Sequence, residues 1–213
     1  MKSHRAQALA LLAVMALVVV LPAADKKKPA KEAKPRVVKL RDITLSVPTD
    51  WKQEKPRSNL RAGQFSLPPV KGDKDAAELA IFFFGGAGGG ADANIRRWVG
   101  QFQSKGRVMK AYQGTSPQGA YLVLDLTGTY NKPIGPPIQR KTKPMPGARM
   151  LAVILAVKGK GNYFLKLTGP RKTVTAAEVA FRKSFGADPK KEKAYGENAK
   201  KKKSEKKPGK KKK

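Results

Sequence analysis

The chain contains no cysteine, and its only histidine is His4, close to the N-terminus. Without thiols there is no disulfide, no cysteine-ligated zinc, no cysteine nucleophile and no lipoprotein acylation. Beyond His4 there is no imidazole for proton transfer near neutral pH or for metal ligation. Aromatic residues are sparse at 7%, so most are needed to fill a core. Acids are scarce too: 15 Asp and Glu stand against 46 Lys and Arg, a net charge of +31.

That charge is spread along the chain. Residues 25–36 (DKKKPAKEAKPR) and 188–213 (DPKKEKAYGENAKKKKSEKKPGKKKK) hold almost nothing that could be buried. The second segment has 13 lysines and 4 acids, including Lys200, Lys201, Lys202 and Lys203 and then Lys210, Lys211, Lys212 and Lys213. Such a segment has no apolar surface to offset its ordering entropy and reads as a disordered tail. Residues 37–187 still carry 25 basic and 9 acidic residues, +16, so the domain between the ends is basic in its own right. A basic domain with a lysine-rich tail favours polyanions, and the tail lysines are the candidate polyanion-binding residues; a tail that only aids solubility is the plain alternative.

The N-terminal 24 residues read as a Sec-type signal segment. Lys2 and Arg5 form a positive start, and Ala8 to Leu21 is an unbroken apolar run of 14 residues. That run is shorter than the ~20 residues needed to span a bilayer. Ala23 and Ala24 suit cleavage before Asp25, although Leu21 or Pro22 occupies the position where a small residue is preferred. An uncleaved N-terminal anchor is the other reading. The chain is thus expected to act in the periplasm or outside the cell.

Between the ends, about 150 residues suit one domain. Alternation and apolar runs predict strands at Val37–Leu40, Ile43–Val47, Leu60–Leu67, Ala77–Phe84, Arg107–Gln113, Tyr121–Tyr130, Met150–Val157 and Tyr163–Thr168. Leu122, Leu124 and Leu126 face one way and Asp125 and Thr127 the other, which predicts a sheet covered on one side there. Trp51 is expected to fold back over the core. Ile95, Trp98, Val99 and Phe102 form one face of a helix with Asp92 as its N-cap. A second helix starts with a capping box at Thr175–Glu178, stapled by Val174 and Val179; it buries Val174, Ala177, Phe181 and Phe185 and is capped by Gly186. Residues 131–148, with five prolines, read as a long basic loop. The fold class that follows is α+β, a mainly antiparallel sheet of about six to eight strands with two helices packed on it.

Three stretches carry a resemblance: Pro48–Trp51 ending a strand, Gly85–Phe102 (GGAGGGADANIRRWVGQF), and Tyr163–Pro170 (YFLKLTGP). Over roughly residues 37–187 the chain resembles the Mog1/PsbP-like α/β/α sandwich domains, and exported proteins of planctomycete-type bacteria. The resemblance implies a sandwich fold and a binding or assembly role, and it carries over no functional residue.

Three motifs invite a chemical reading. Gly86, Gly88 and Ala91 match a loose dinucleotide fingerprint between a strand and a helix. No acid follows at the expected distance, and Asp92 at the helix start would repel a phosphate. Asp73, Asp75 and Glu78 resemble part of a calcium loop, but Lys71 and Lys74 interleave with them as in a solvated loop. Asp125, alone on its strand face, is expected to pair with a lysine or arginine. Tyr112, Tyr121, Tyr130 and Tyr163 beside basic residues could stack nucleic-acid bases, a target that export makes remote.

These readings lead to an exported, non-enzymatic binding or assembly domain without catalytic residues, metal or cofactor. Its partner would be an envelope protein or an anionic surface, with peripheral membrane contact through the tail. The alternatives are a general binder of nucleic acid, anionic lipid or polysaccharide, and an enzyme working without His or Cys. N-terminal sequencing of protein from its native host is expected to show loss of about 22–25 residues. Recovery of the full-length chain from the cytosol would contradict the reading.

Overall fold

The computed structural model describes residues 34–85, 88–135 and 137–196. The signal segment, most of the linker and the lysine runs at 200–203 and 210–213 lie outside the described residues. The α+β reading holds: two helices pack on a mainly antiparallel sheet.

The chain opens with a hairpin, β1 (Arg36–Leu40) and β2 (Ile43–Val47), paired only with each other. Then come β3 (Lys52–Gln53), β4 (Arg61–Leu67), β5 (Ala77–Phe83), α1 (Ala91–Val99) and β6 (Val108–Ser116). They are followed by β7 (Gly119–Pro133), β8 (Thr142–Val157), β9 (Gly161–Pro170), α2 (Arg171–Ser184) and β10 (Lys193–Ala194). Eight strands form one sheet in the order β10-β6-β7-β8-β9-β5-β4-β3. Both edges are two-residue strands, which cover only Tyr112 and Gln113 of β6 and Phe65 and Ser66 of β4.

Period-2 alternation sends side chains of the central strands to opposite faces, and both faces are buried. On one, Tyr121, Val123, Leu151, Val153, Leu155, Leu165 and Leu167 meet Val174, Phe181 and Phe185 of α2 and Ile43, Leu45 and Val47 of the hairpin. Trp51 joins this core as expected. On the other, Leu124, Leu126, Met150, Ala152, Ile154 and Phe164 meet Trp98 and Phe102. The expectation of a strand β7 covered on one side is therefore corrected. Tyr121 and Val123 alternate with the leucines and are buried under α2.

Residues 131–148 are not a loop. β7 and β8 continue as a paired ribbon through Tyr130↔Met145, Asn131↔Pro144, Lys132↔Lys143 and Pro133↔Thr142. Prolines are tolerated because, past Asn131 on β7 and before Ala148 on β8, each strand has an unpaired outer side where no N–H is needed. The ribbon, hereafter the arm, ends in a single 3-10 turn at Pro137–Gln139.

Two helix starts also differ from expectation. α2 begins at Arg171, one turn before Thr175, so the capping box does not form. Asp73 caps the helix from a distant loop instead, accepting from the Thr173 backbone N–H at 2.8 Å and its hydroxyl at 2.7 Å. This satisfies an orphan donor that Pro170 cannot reach. Val174 is buried, but Val179 is 57% exposed and staples nothing. α1 begins at Ala91 with Gly90 as its cap residue, so Asp92 lies inside the first turn. The C-terminus of α2 does follow expectation. Gly186, at φ 81°, lets Ala187 N–H reach Arg182 O and Gly186 N–H reach Lys183 O.

The domain also extends beyond residue 187. Asp188 accepts from Lys190 N–H to start a short turn, β10 pairs with β6, and the Glu192 side chain is 4% exposed. Glu192 reaches Arg182 and Tyr121 inside the domain, a long-range pairing that tail composition conceals.

Trp98 is 5% exposed and meets the Phe164 ring edge-on at 6.4 Å. Trp98→Ala is expected to cost about 3–5 kcal/mol in denaturant titration. A loss below about 1 kcal/mol would mean that α1 does not hold its face of the sheet.

Candidate functional site

α1 is only nine residues long and covers one end of its face of the sheet. At the other end that face is open, and the arm walls it into a groove of about 950 Å³. The floor comes from β4, β5 and β9 (Ser66, Glu78, Phe82, Lys166 and Thr168), and the wall from Tyr130, Lys132, Arg140, Lys141 and Met145.

Lys166 lies on the floor because β9 alternates. Tyr163, Leu165 and Leu167 enter the α2 core, so Lys166 and Thr168 face the groove. The ammonium donates to Gln101 Oε1 at 3.2 Å and to the Tyr130 hydroxyl at 3.4 Å, and lies 5.7 Å from the Tyr130 ring centroid. No carboxylate forms an ion pair with it among the described residues. Desolvation dominates, with Glu78 opposing and Arg61 adding to it, and pulls the ammonium down to about 8. The Tyr130 hydroxyl is pushed up to about 12 by burial, so it stays protonated. Thr168 Oγ1, two residues along the same strand face, is buried and has no hydrogen-bond partner.

Of the acids that line the groove, Glu54 and Glu78 are already engaged. Glu78 pairs with Arg61 at 3.1 Å and with Arg57 at 3.7 Å. Gln64, itself buried, donates to Glu54 and accepts from Arg61. Lys166 is left as a desolvated cation without an anion, facing open space. An arrangement of this kind is costly in an empty protein and favourable toward an anionic oxygen.

A second polar cluster lies on the α2 side, where arginines and carboxylates pair with one another and Arg182 Nη1 is left buried without a partner. Arg149 makes a bidentate contact to Asp125, at 2.9 and 2.8 Å, as the lone strand acid led one to expect. Arg149 also reaches Glu178 at 2.8 Å and the Thr175 hydroxyl at 2.9 Å. Glu178 continues to Arg182, and Arg182 to Glu192, which accepts from Tyr121. Burial, with Glu192 adding to it, pushes the Tyr121 hydroxyl up to about 12. Burial raises the Glu192 carboxyl against the pull of Arg182. With every carboxylate matched to an arginine, this cluster ties α2 and the C-terminal segment to the sheet.

The other residues singled out in the sequence are dispersed. Asp73 caps α2 and Glu78 lies in the groove, so they do not converge on a metal. Among the described residues no group of three His, Cys, Asp or Glu could hold one. In the glycine run, the carbonyls of Gly88, Gly89 and Gly90 all accept from the Asn94 amide, and a side chain at Gly88 would collide with the Phe164 ring. That loop turns the chain tightly over Phe164. Tyr121, Tyr130 and Tyr163 are buried and Tyr112 half-buried, which removes them as a base-stacking surface. Lys166 was missed. Its signal was a lysine between Leu165 and Leu167 in an apolar run, on a strand with both faces covered.

The pH dependence of stability follows from these groups. Between about 8 and the ordinary 10.5, the folded state holds less of the Lys166 proton than the unfolded state does. Stability therefore rises with pH through that window, and the penalty is full below it. Tyr130 acts oppositely: the folded state keeps a proton that the unfolded state loses between 10 and about 12, so stability falls there. Lys166→Met is expected to be more stable than wild type at pH 7 by on the order of 1–3 kcal/mol, with the difference vanishing above about pH 10. A difference independent of pH would overturn the assignment.

No protein-family model matches the chain, and no curated protein matches it at a significant level.

Proposed function

We propose that this chain is an exported, non-enzymatic binding domain of the Mog1/PsbP-like kind, whose groove receives an anionic group of a partner. The observation that carries this reading is Lys166: a desolvated ammonium on the groove floor, hydrogen-bonded to neutral groups only. Thr168 beside it supplies an unused hydroxyl. Lys132, Arg140 and Lys141 line the wall and are exposed. A carboxylate or phosphate oxygen at the floor would recover the desolvation penalty of Lys166 by a charge-assisted hydrogen bond. The basic wall would speed its approach.

A second reading assigns affinity to the lysine-rich segment at 200–213 and makes the protein a general polyanion binder, supported by the eight lysines of its two runs. Calorimetry separates the two, with tripolyphosphate and a short oligoglutamate as probes. The full chain, Lys166→Met and a chain ended after Gly196 are compared at physiological salt. Ending at residue 187 would remove Glu192 and β10 from the domain. Groove binding predicts at least about a tenfold loss in Lys166→Met for one of the probes and little change on shortening. Affinity that follows the tail and ignores Lys166 would favour the second reading.

A further inference from the structure

The arm carries a feature that the groove does not require. Between Gly128 and Gly147 there is no Asp or Glu, while Lys132, Arg140, Lys141 and Lys143 are all present. At its far end Ile138 is 90% exposed and Ile134 43% exposed. Every described residue from 132 to 135 and from 138 to 144 is exposed. The base is braced: Asn131 N–H donates to Gln101 O at 2.8 Å, Gln103 N–H to Thr129 O at 2.9 Å, and Phe102 packs at a tilt against Tyr130. Past that brace the two strands hold only each other, the last bond given by Ile134 N–H to Lys141 O at 3.0 Å.

An isoleucine almost wholly in water at the tip of a projecting ribbon has no role in the core. Four cations without an acid make the same tip unfavourable for burial against a neutral apolar protein surface. Both features are matched at the boundary of an anionic bilayer. There, apolar side chains enter the acyl region and lysines and arginines lie among the phosphates. We infer that the β7–β8 arm is a bilayer anchor, with Ile134 and Ile138 inserted into an anionic membrane and Lys132, Arg140, Lys141 and Lys143 held at its headgroups. The inference stands on exposure and charge in the arm; Lys132, Ile134, Arg140 and Lys141 also line the groove, whereas Ile138 and Lys143 do not.

The test uses the full chain, and its readout must differ from tail attraction, which is electrostatic and superficial. Ile138→Trp places a fluorophore at the tip beside the two buried tryptophans, Trp51 and Trp98. With vesicles of phosphatidylglycerol and phosphatidylcholine, its emission is expected to shift to the blue. Lipids brominated on their acyl chains should quench it, relative to wild type. Ile134→Ser with Ile138→Ser, at exposed positions that leave the core intact, is expected to lower vesicle partitioning roughly tenfold. The comparison is made at about 0.3 M salt, where attraction by the tail is screened. Vesicles of phosphatidylcholine alone should bind more weakly. Absence of quenching, equal partitioning of the double variant, or no preference for the anionic lipid would each overturn the inference.

Discussion

An eight-stranded antiparallel sheet has two faces to hide from water, and this chain distributes its covering elements unequally. The 14-residue α2 and the β1–β2 hairpin together close one face. The nine-residue α1, with the turn to Phe102, covers only part of the other. A strand that runs beyond its cover must change the chemistry of its side chains on that face. The sequence does so: the face that holds Leu124, Ala152 and Phe164 under α1 continues as Lys166, Thr168, Glu78 and Ser66 where the helix ends. The groove is the uncovered remainder of a sheet face, closed laterally by the arm.

The two faces treat buried charge in opposite ways. Under α2, Arg149 is 8% and Arg182 4% exposed, and Asp125, Glu178 and Glu192 surround them. Guanidinium forks suit such a network because one group can bridge two carboxylates in fixed geometry. In the groove a lysine takes the place of arginine, a neutral amide and a hydroxyl take the place of carboxylates, and the nearby Glu78 is held by Arg57 and Arg61. In the first arrangement every carboxylate faces an arginine, although Arg182 Nη1 is buried without a partner. In the second the ammonium faces only neutral acceptors.

What was legible in the sequence was whatever depends on local periodicity. Eight of the ten strands, the Ile95, Trp98 and Val99 part of the α1 face, the buried face of α2 and the glycine that ends it follow from spacing over a few residues, whereas Phe102 lies beyond the end of α1 at Val99. What was not legible depends on partners far along the chain. Asp73 caps a helix 100 residues away, so the local box at Thr175–Glu178 looked sufficient and set the helix start one turn late. Glu192 is anchored by Arg182 and by Tyr121, 71 residues before it, so a lysine-rich neighbourhood hid the true end of the domain. The arm was obscured by its prolines, which argue against a central strand and not against a ribbon with one unpaired side on each strand. Lys166 was hidden by the Tyr163–Thr168 run around it, whose buried residues belong to both faces.

Tyr130 joins these parts. A two-stranded ribbon is marginal in water by itself, so the arm needs a footing, and Tyr130 supplies it. Tyr130 pairs with Met145 across the ribbon, forms a bridge with Phe102 behind α1 and meets its ring at a tilt of 43° with centroids 5.3 Å apart. Its hydroxyl and ring face the Lys166 ammonium. The residue that fixes the angle of the arm is thus also the residue that shields the unpaired cation. Tyr130 thus touches the turn after α1, the ribbon and the groove floor together.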